Sequence, residues 1–214
     1  YNRMEAIERF AADVAHELKN PLTSLRSAVE TLPLAKSEQS RGRLLEVIQH
    51  DVRRLDRLIS DISDASRLDA ELQRHDLDIV DVGQLLDAVA GVQNEVRRDG
   101  EASITLSFSA GARERDRLLV AGRDSRLGQV VTNLIDNARS FSPEGGEVRV
   151  TCSRTKTEVE IRVDDDGPGI ERDALERIFE RFYTDRPDQG FGQNSGLGLS
   201  ISKQIVEAHR GRLW

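Results

Sequence analysis

A single cysteine, Cys152, leaves this 214-residue chain without an internal disulfide. Such a chain suits a reducing compartment, and Cys152 lies in a strand-like run where a small buried residue is expected. No window approaches the ~18 consecutive apolar residues of a membrane-spanning helix, and nothing at the start reads as a secretory signal. Positive charge is not in excess. The 31 Lys and Arg face 38 Asp and Glu, a formal charge of −7, which gives no electrostatic footprint for nucleic acid. The chain contains His16-Glu17, but the position four residues after the histidine holds Asn20, so an HExxH zinc site is excluded. No GxxxxGK[ST] is present either, which excludes a P-loop.

What is there is enough for one large or two small domains, with 37% hydrophobic side chains. The chain opens within a helical pattern (YNRMEAIERF) and stops at Trp214 without a turn or cap, as a piece of something longer would. Its organising stretch is FAADVAHELKNPLTSL, Phe10 to Leu25. Ile7, Phe10, Val14, Leu18, Leu22, Leu25, Val29 and Leu32 recur every three or four positions and predict one apolar stripe on a helix over 5–32. His16 falls about 200° around that helix from Val14 and Leu18, so it faces solvent. Glu17 flanks it, Asn20 stands one turn on, and Pro21 cannot donate to the carbonyl of Glu17, which predicts a bend there. HELKN alone remains open to a plain reading, since most surface histidines do nothing.

A break at Thr31–Ser40 separates this from a second helix, from Arg41 to about Leu72, with Leu45, Ile48, Val52, Leu55, Ile59 and Ile62 at a and d spacing. Two such helices form an antiparallel hairpin, and two hairpins pack into a four-helix bundle, which predicts a homodimer. Residues 1–70 are taken as this hairpin domain, 71–76 as a linker and 77–214 as a second domain. In the second domain the patterning predicts strands at Leu77–Val80, Ser103–Ser109, Leu118–Ala121, Glu147–Cys152 and Val159–Val163. Helices are expected at Val82–Arg98, Ser125–Phe141, Glu171–Phe182 and Leu197–His209. Without strict βα alternation, this favours a mixed sheet with helices on one face, an α+β arrangement. His50, His75 and His209 are explained by solvent exposure or capping.

Three polar clusters stand out in that second domain. Asn133 and Asn137 lie one turn apart in QVVTNLIDNARSF, where Asn is a poor interior helix residue, and an amide oxygen suits Mg²⁺. VDDDGPGI follows a strand; Gly167 and Gly169 let backbone approach a flat ligand, and Asp165 can accept from an adenine amino group. GFGQNSGLG leads into a helix whose N-terminal N–H groups suit phosphates, after a polar loop, Thr184–Ser195, of the length of a mobile lid. Taken singly, each is also ordinary turn or surface chemistry.

Together they resemble the cytoplasmic core of a bacterial sensor histidine kinase. HELKNPL is similar to that family's phosphoacceptor box, QVVTNLIDNA to its N box and DDGPG to its first glycine box. IFERFY is similar to its F box and SGLGLSISKQIVEAHRG to its second glycine box and helix. AADVAHELKNPLTSL with NARSFSP is also similar to the ChvG-type sensors. The resemblance implies a dimeric helical hairpin followed by an ATP-binding α/β sandwich of the gyrase–Hsp90–histidine kinase–MutL (Bergerat) type, without the further C-terminal strands that the family has after GRLW.

It further implies that His16 attacks the γ-phosphate of ATP, with Glu17 taking the ring proton and Asn20 placing water for phosphatase action on a response regulator. Asn137 is implied as the Mg²⁺ ligand with Asn133 beside it. Asp165, Gly167 and Gly169 are implied at the adenine, Gly196 and Gly198 at the phosphates, with Phe182 and Leu197 in the same boxes. A homodimer, a cognate response regulator, and a cytoplasmic location within an inner-membrane parent follow from the same resemblance. Three positions depart from the family pattern: Ser140 and Thr184 replace basic residues, and Asn194 replaces a glycine. Arg139, Arg181 and Arg186 are the candidates for the missing positive charge. A nucleotide-binding scaffold without turnover, and a plain ATPase related to MutL or Hsp90, are the competing readings. The hairpin bearing HELKN argues against the last.

Overall fold

The computed structural model describes residues 2–72, 77–109, 118–183 and 195–214. They fall into two compact units, Tyr1–Glu71 with Arg181–Leu197, and Leu72–Glu180 with Gly198–Trp214. The linker residues 73–76, with His75, and the lid residues 184–194, with Thr184, Arg186 and Asn194, lie outside the described residues.

In the first unit, α1 spans Asn2–Thr31 and runs without interruption through Pro21. A 3₁₀ turn at Leu32–Leu34 ends it, and α2 follows over Glu38–Leu72. Ser37 starts α2, its hydroxyl accepting from the N–H of Ser40 at 3.1 Å. The fully buried positions are mostly those one residue before members of the expected stripe, not the members themselves. Pro21 and Ala28 of α1 are buried, as are Leu58 and Ala65 of α2. Leu22, Val29, Leu45, Val52 and Ile59 are each about half exposed. Heptad spacing marks apolar positions without saying which of two neighbours each one faces, and a lone hairpin covers only one side of them. The buried seam of α2 also contains Asp51, 6% exposed, in line with Leu44 and Leu58 at seven-residue steps.

The second unit is the mixed α+β layer that the patterning predicts. Strand β1 (Asp78–Asp81) pairs antiparallel with β3 (Leu119–Gly122). A three-stranded sheet has the order β2 (Ser103–Phe108), β4 (Glu147–Arg154), β5 (Val159–Asp164), with β2 parallel and β5 antiparallel to β4. Helices α3 (Val82–Glu95), α4 (Asp124–Phe141) and α5 (Gly198–Ala208) complete it. Alternation along β4 sends Val148, Val150 and Cys152 into a core with Leu86, Ile104, Val131 and Ile135. Cys152 is a small buried residue, and burial pushes its thiol up to about 11.

The stretch expected to be helical over Glu171–Phe182 is instead a chain of turns containing one 3₁₀ turn, Arg177–Phe179. Short bonds such as Ala174 N–H to Glu171 C=O and Glu180 N–H to Arg177 C=O close successive turns. Ala174 is buried and the Lys203 ammonium of α5 sits 4.8 Å from the centre of the Phe179 ring, so tertiary anchors override the helical pattern.

Candidate functional site

On α1, His16 is exposed, as its place on the helix predicts. An open groove along α1 is lined by His16, Lys19, Asn20, Thr23, Ser24 and Ser27, so His16 and Asn20 share one surface. Glu17 is not a free neighbour of the histidine. Its Oε2 accepts from Arg54 Nη2 at 3.1 Å, and both side chains are largely sheltered. Arg54 and Asp51 of α2 are the residues that sequence reasoning passed over; the register read from the apolar spacing runs through Val52 and Leu55 and leaves both out.

In the same unit a pinch joins Phe182 and Gly196. Phe182 N–H donates to the carbonyl of Gly196 at 2.9 Å, and both residues have positive φ, 62° and 72°. A Cβ on Gly196 would lie 2.7 Å from the Phe182 backbone, so only glycine fits. The Phe182 ring stacks on Phe10 at 6.4 Å, and the Arg181 guanidinium lies 4.8 Å from the centre of that Phe10 ring. Ser195 Oγ donates to Asp61, whose carboxyl is raised above its ordinary value chiefly by burial. Leu197 is fully buried.

In the second unit the two asparagines of α4 divide their work. Asn133 Nδ2 donates to the carbonyl of Gly198 and to Ser202 Oγ, both at 3.3 Å, and so latches α4 to the start of α5. Asn137 has no side-chain hydrogen bond among the described residues, which leaves its amide for a ligand. Among those residues no group of three or more His, Cys, Asp or Glu could hold a metal. An amide oxygen is a hard donor of the kind that Mg²⁺ takes beside water and phosphate oxygens.

The DDGPG turn is built against the end of α4. Asp165 Oδ1 accepts from the N–H of Gly167 at 2.8 Å, and a Cβ on Gly167 would meet the Phe141 carbonyl at 2.8 Å. Gly169 has φ +80° and open space around it. Asp166, absent from the sequence reading, pins the turn to β4. Its Oδ2 accepts from the N–H of Glu147 at 3.1 Å and its Oδ1 from Arg149 Nη1 at 2.9 Å. Those donors, Arg149 first, hold its carboxyl below the usual range.

Two domain families match this arrangement. The His Kinase A phospho-acceptor domain covers residues 6–71, and the histidine kinase-, DNA gyrase B- and HSP90-like ATPase covers 122–214. The chain belongs to the sensor histidine kinase family.

Across its whole length this kinase core is 58% identical to Sensor protein ChvG of Rhizobium meliloti, of which it covers 37%. It thus spans little more than a third of that protein and of the ChvG of Agrobacterium fabrum. Histidine kinase ThkA, solved in complex with response regulator protein TrrA, shares the fold at a TM-score of 0.73 and 24% identity, over 98% of this chain and 57% of that one. Full-length ShkA in complex with AMPPNP aligns at a TM-score of 0.59 and 27% identity, over 94% and 41%. Within the kinase core, Arg139 does not stand in for the missing basic residue. Its guanidinium donates to the carbonyls of Gln93 and Ala102 and to Gln93 Oε1, at 2.9–3.1 Å, bracing α3 and β2. Ser140 turns its hydroxyl onto the carbonyl of Asn137 at 2.7 Å. His209 is a cap, its Nε2 accepting from the N–H of Arg123 at 3.1 Å. Among the described residues no helix is long and apolar enough to cross a membrane.

Proposed function

We propose that this core autophosphorylates on His16 and passes the phosphoryl group to an aspartate of a response regulator. The observation that carries the reading is the exposed His16 with Glu17 next to it, on the phosphoacceptor helix of a chain that also holds the ATPase domain. One ring nitrogen attacks the γ-phosphorus; the N–P bond forms as the P–O bond to ADP breaks, and ADP leaves with the electron pair. The proton on the other nitrogen, acidified as the ring becomes cationic, goes to the Glu17 carboxylate.

ATP is held by Asn133, Asn137, Asp165, Gly167, Gly169 and Gly198, with Phe182, Gly196 and Leu197 from the F and second glycine boxes. Asn137 holds Mg²⁺, which offsets triphosphate charge. Asp165 presents its carboxylate on a turn fixed by Gly167 and Asp166, a geometry suited to an adenine amino group. Asn20, on the His16 surface, positions water against a phosphorylated regulator. The half-exposed apolar residues of both hairpin helices are covered by a second copy, giving the homodimer. The domain limits are 1–70, 71–76 and 77–214, and the parent is an inner-membrane protein with this part in the cytoplasm.

Incubation with γ-labelled ATP and Mg²⁺ tests the reading. Acid-labile, base-stable label that disappears in His16→Gln is the expected result. One observation favours a second reading, a scaffold that binds nucleotide without turnover. Arg139 is committed to structural bonds and Ser140 replaces a basic residue, which weakens phosphate contact. Tight nucleotide binding without any label would select the scaffold.

A further inference from the structure

Both hairpin helices touch the F box and the second glycine box, and all of these residues belong to the first unit. From α1, the Phe10 ring stacks on Phe182 at 6.4 Å, with the Arg181 guanidinium 4.8 Å from the Phe10 centre. From α2, Asp61 accepts from Ser195 Oγ. The bond from Phe182 N–H to the Gly196 carbonyl, 2.9 Å, ties these two arms together. Burial raises the Asp61 carboxyl, and the Ser195 hydroxyl, ahead of Arg57, works against that rise. A bond to a carboxylate is stronger than a neutral one, so it commits the Ser195 proton to α2 and leaves the oxygen lone pairs to accept. One of them takes the N–H of Leu197 at 3.2 Å. Leu197 immediately precedes α5, at a glycine-rich helix entrance of the kind whose N–H groups hold phosphate. One N–H gives its full strength to one well-aligned acceptor, so that oxygen and a phosphate are rivals for it.

We propose that Asp61 is an autoinhibitory residue: by holding Ser195 against α2 it keeps the Leu197 N–H on the serine hydroxyl, in competition with the phosphates of ATP. The proposal rests on the reading that the second glycine box holds those phosphates. In the held state Asp61, Ser195 and Leu197 form one hydrogen-bonded chain, and the Phe10–Phe182 stack keeps the neighbouring arm in place. In the released state Ser195 turns to another rotamer and the Leu197 N–H is open to a phosphate oxygen. ATP affinity is therefore lowered according to how much of the chain is held, and bound ATP weakens the hold by the same factor. The exchange makes and breaks no covalent bond.

The test is the dissociation constant of the whole chain for ATP, and for adenosine as a competitor without phosphates, in wild type, Asp61→Ala, Ser195→Ala and the double variant. ATP should bind roughly three- to tenfold more tightly to each single variant, the worth of one net hydrogen bond. The double variant should gain no more than the better single one, because both cut the same chain of bonds. Adenosine should bind all four alike. Phe10→Ala, which cuts the other arm, should tighten ATP in the same direction. ATP binding that is unchanged or weaker in Asp61→Ala, an equal gain for adenosine, or fully additive gains in the double variant overturns the proposal. If Asp61→Ala unfolds, Asp61→Asn serves, since an amide oxygen accepts more weakly than a carboxylate and gives a smaller shift of the same sign. A wild-type chain that binds no ATP would end the nucleotide-site reading and this proposal with it. ATP held equally by wild type and Asp61→Ala overturns the proposal alone.

Discussion

Three glycines of the proposed nucleotide site are glycine for different reasons, and alanine at each position separates them. Gly169 has φ +80° with no heavy atom within 4 Å of an added Cβ, so alanine there meets only the left-handed backbone penalty, about 1–2 kcal/mol. Gly167 has no such φ, but its Cβ would lie 2.6 Å from Asp165 Oδ1 and 2.8 Å from the Phe141 carbonyl oxygen. The carboxylate can swing aside only by giving up its bond to Gly167, and the carbonyl is backbone at the end of α4, so crowding costs about 1–3 kcal/mol. Gly196 combines both, with φ +72° and a Cβ 2.7 Å from the Cα and C of Phe182. Its sum is about 2–5 kcal/mol if the two effects add. Urea unfolding should rank the losses Gly169→Ala, then Gly167→Ala, then Gly196→Ala. Affinity for a fluorescent ATP analogue should fall most for Gly167→Ala and Gly196→Ala, since alanine keeps the N–H at every position and only displaced backbone can weaken binding. A Gly169→Ala protein as unstable as Gly196→Ala would refute the reasoning, because backbone conformation alone would then govern and the close approaches would count for nothing.

Asn133→Ala should loosen the start of α5, measured as faster amide exchange at Ser200 and Ile201, whereas Asn137→Ala should leave exchange unchanged and weaken Mg-dependent nucleotide binding. Asp166 has its carboxyl held below the ordinary 3.8, by Arg149 first and then the N–H of Glu147, so its contribution is complete above that value and fades as pH falls through the folded value. The unfolding midpoints of wild type and Asp166→Asn should therefore differ at pH 7 and converge in strong acid; a gap that widens on acidification would reverse the sign. Cys152, fully buried and with its thiol pushed up to about 11, should resist thiol reagents at pH 7 in the folded chain and react at once in denaturant. Rapid labelling of the native chain would place it outside the core.

Periodicity and box spacing were enough to read a helical hairpin followed by an α/β region, its strands and most of its helices, and the exposed face of His16, because each depends on residues a few positions apart. Helical angle puts His16 opposite Val14 and Leu18, whatever lies beyond. Alternation does the same for Val148, Val150 and Cys152. What needed the folded chain is whatever joins residues far apart in sequence. Arg54 reaches Glu17 across 37 positions, Arg139 reaches Gln93 across 46, and Asn133 reaches Gly198 across 65. Those contacts decide that Arg139 is a brace and that Asn133 latches α5, and the burial of Ala174 with Lys203 over the Phe179 ring goes with turns over Glu171–Phe182. Local pattern fixes which face a side chain shows; only packing decides what stands opposite it, and a charged or amide side chain takes its role from that partner.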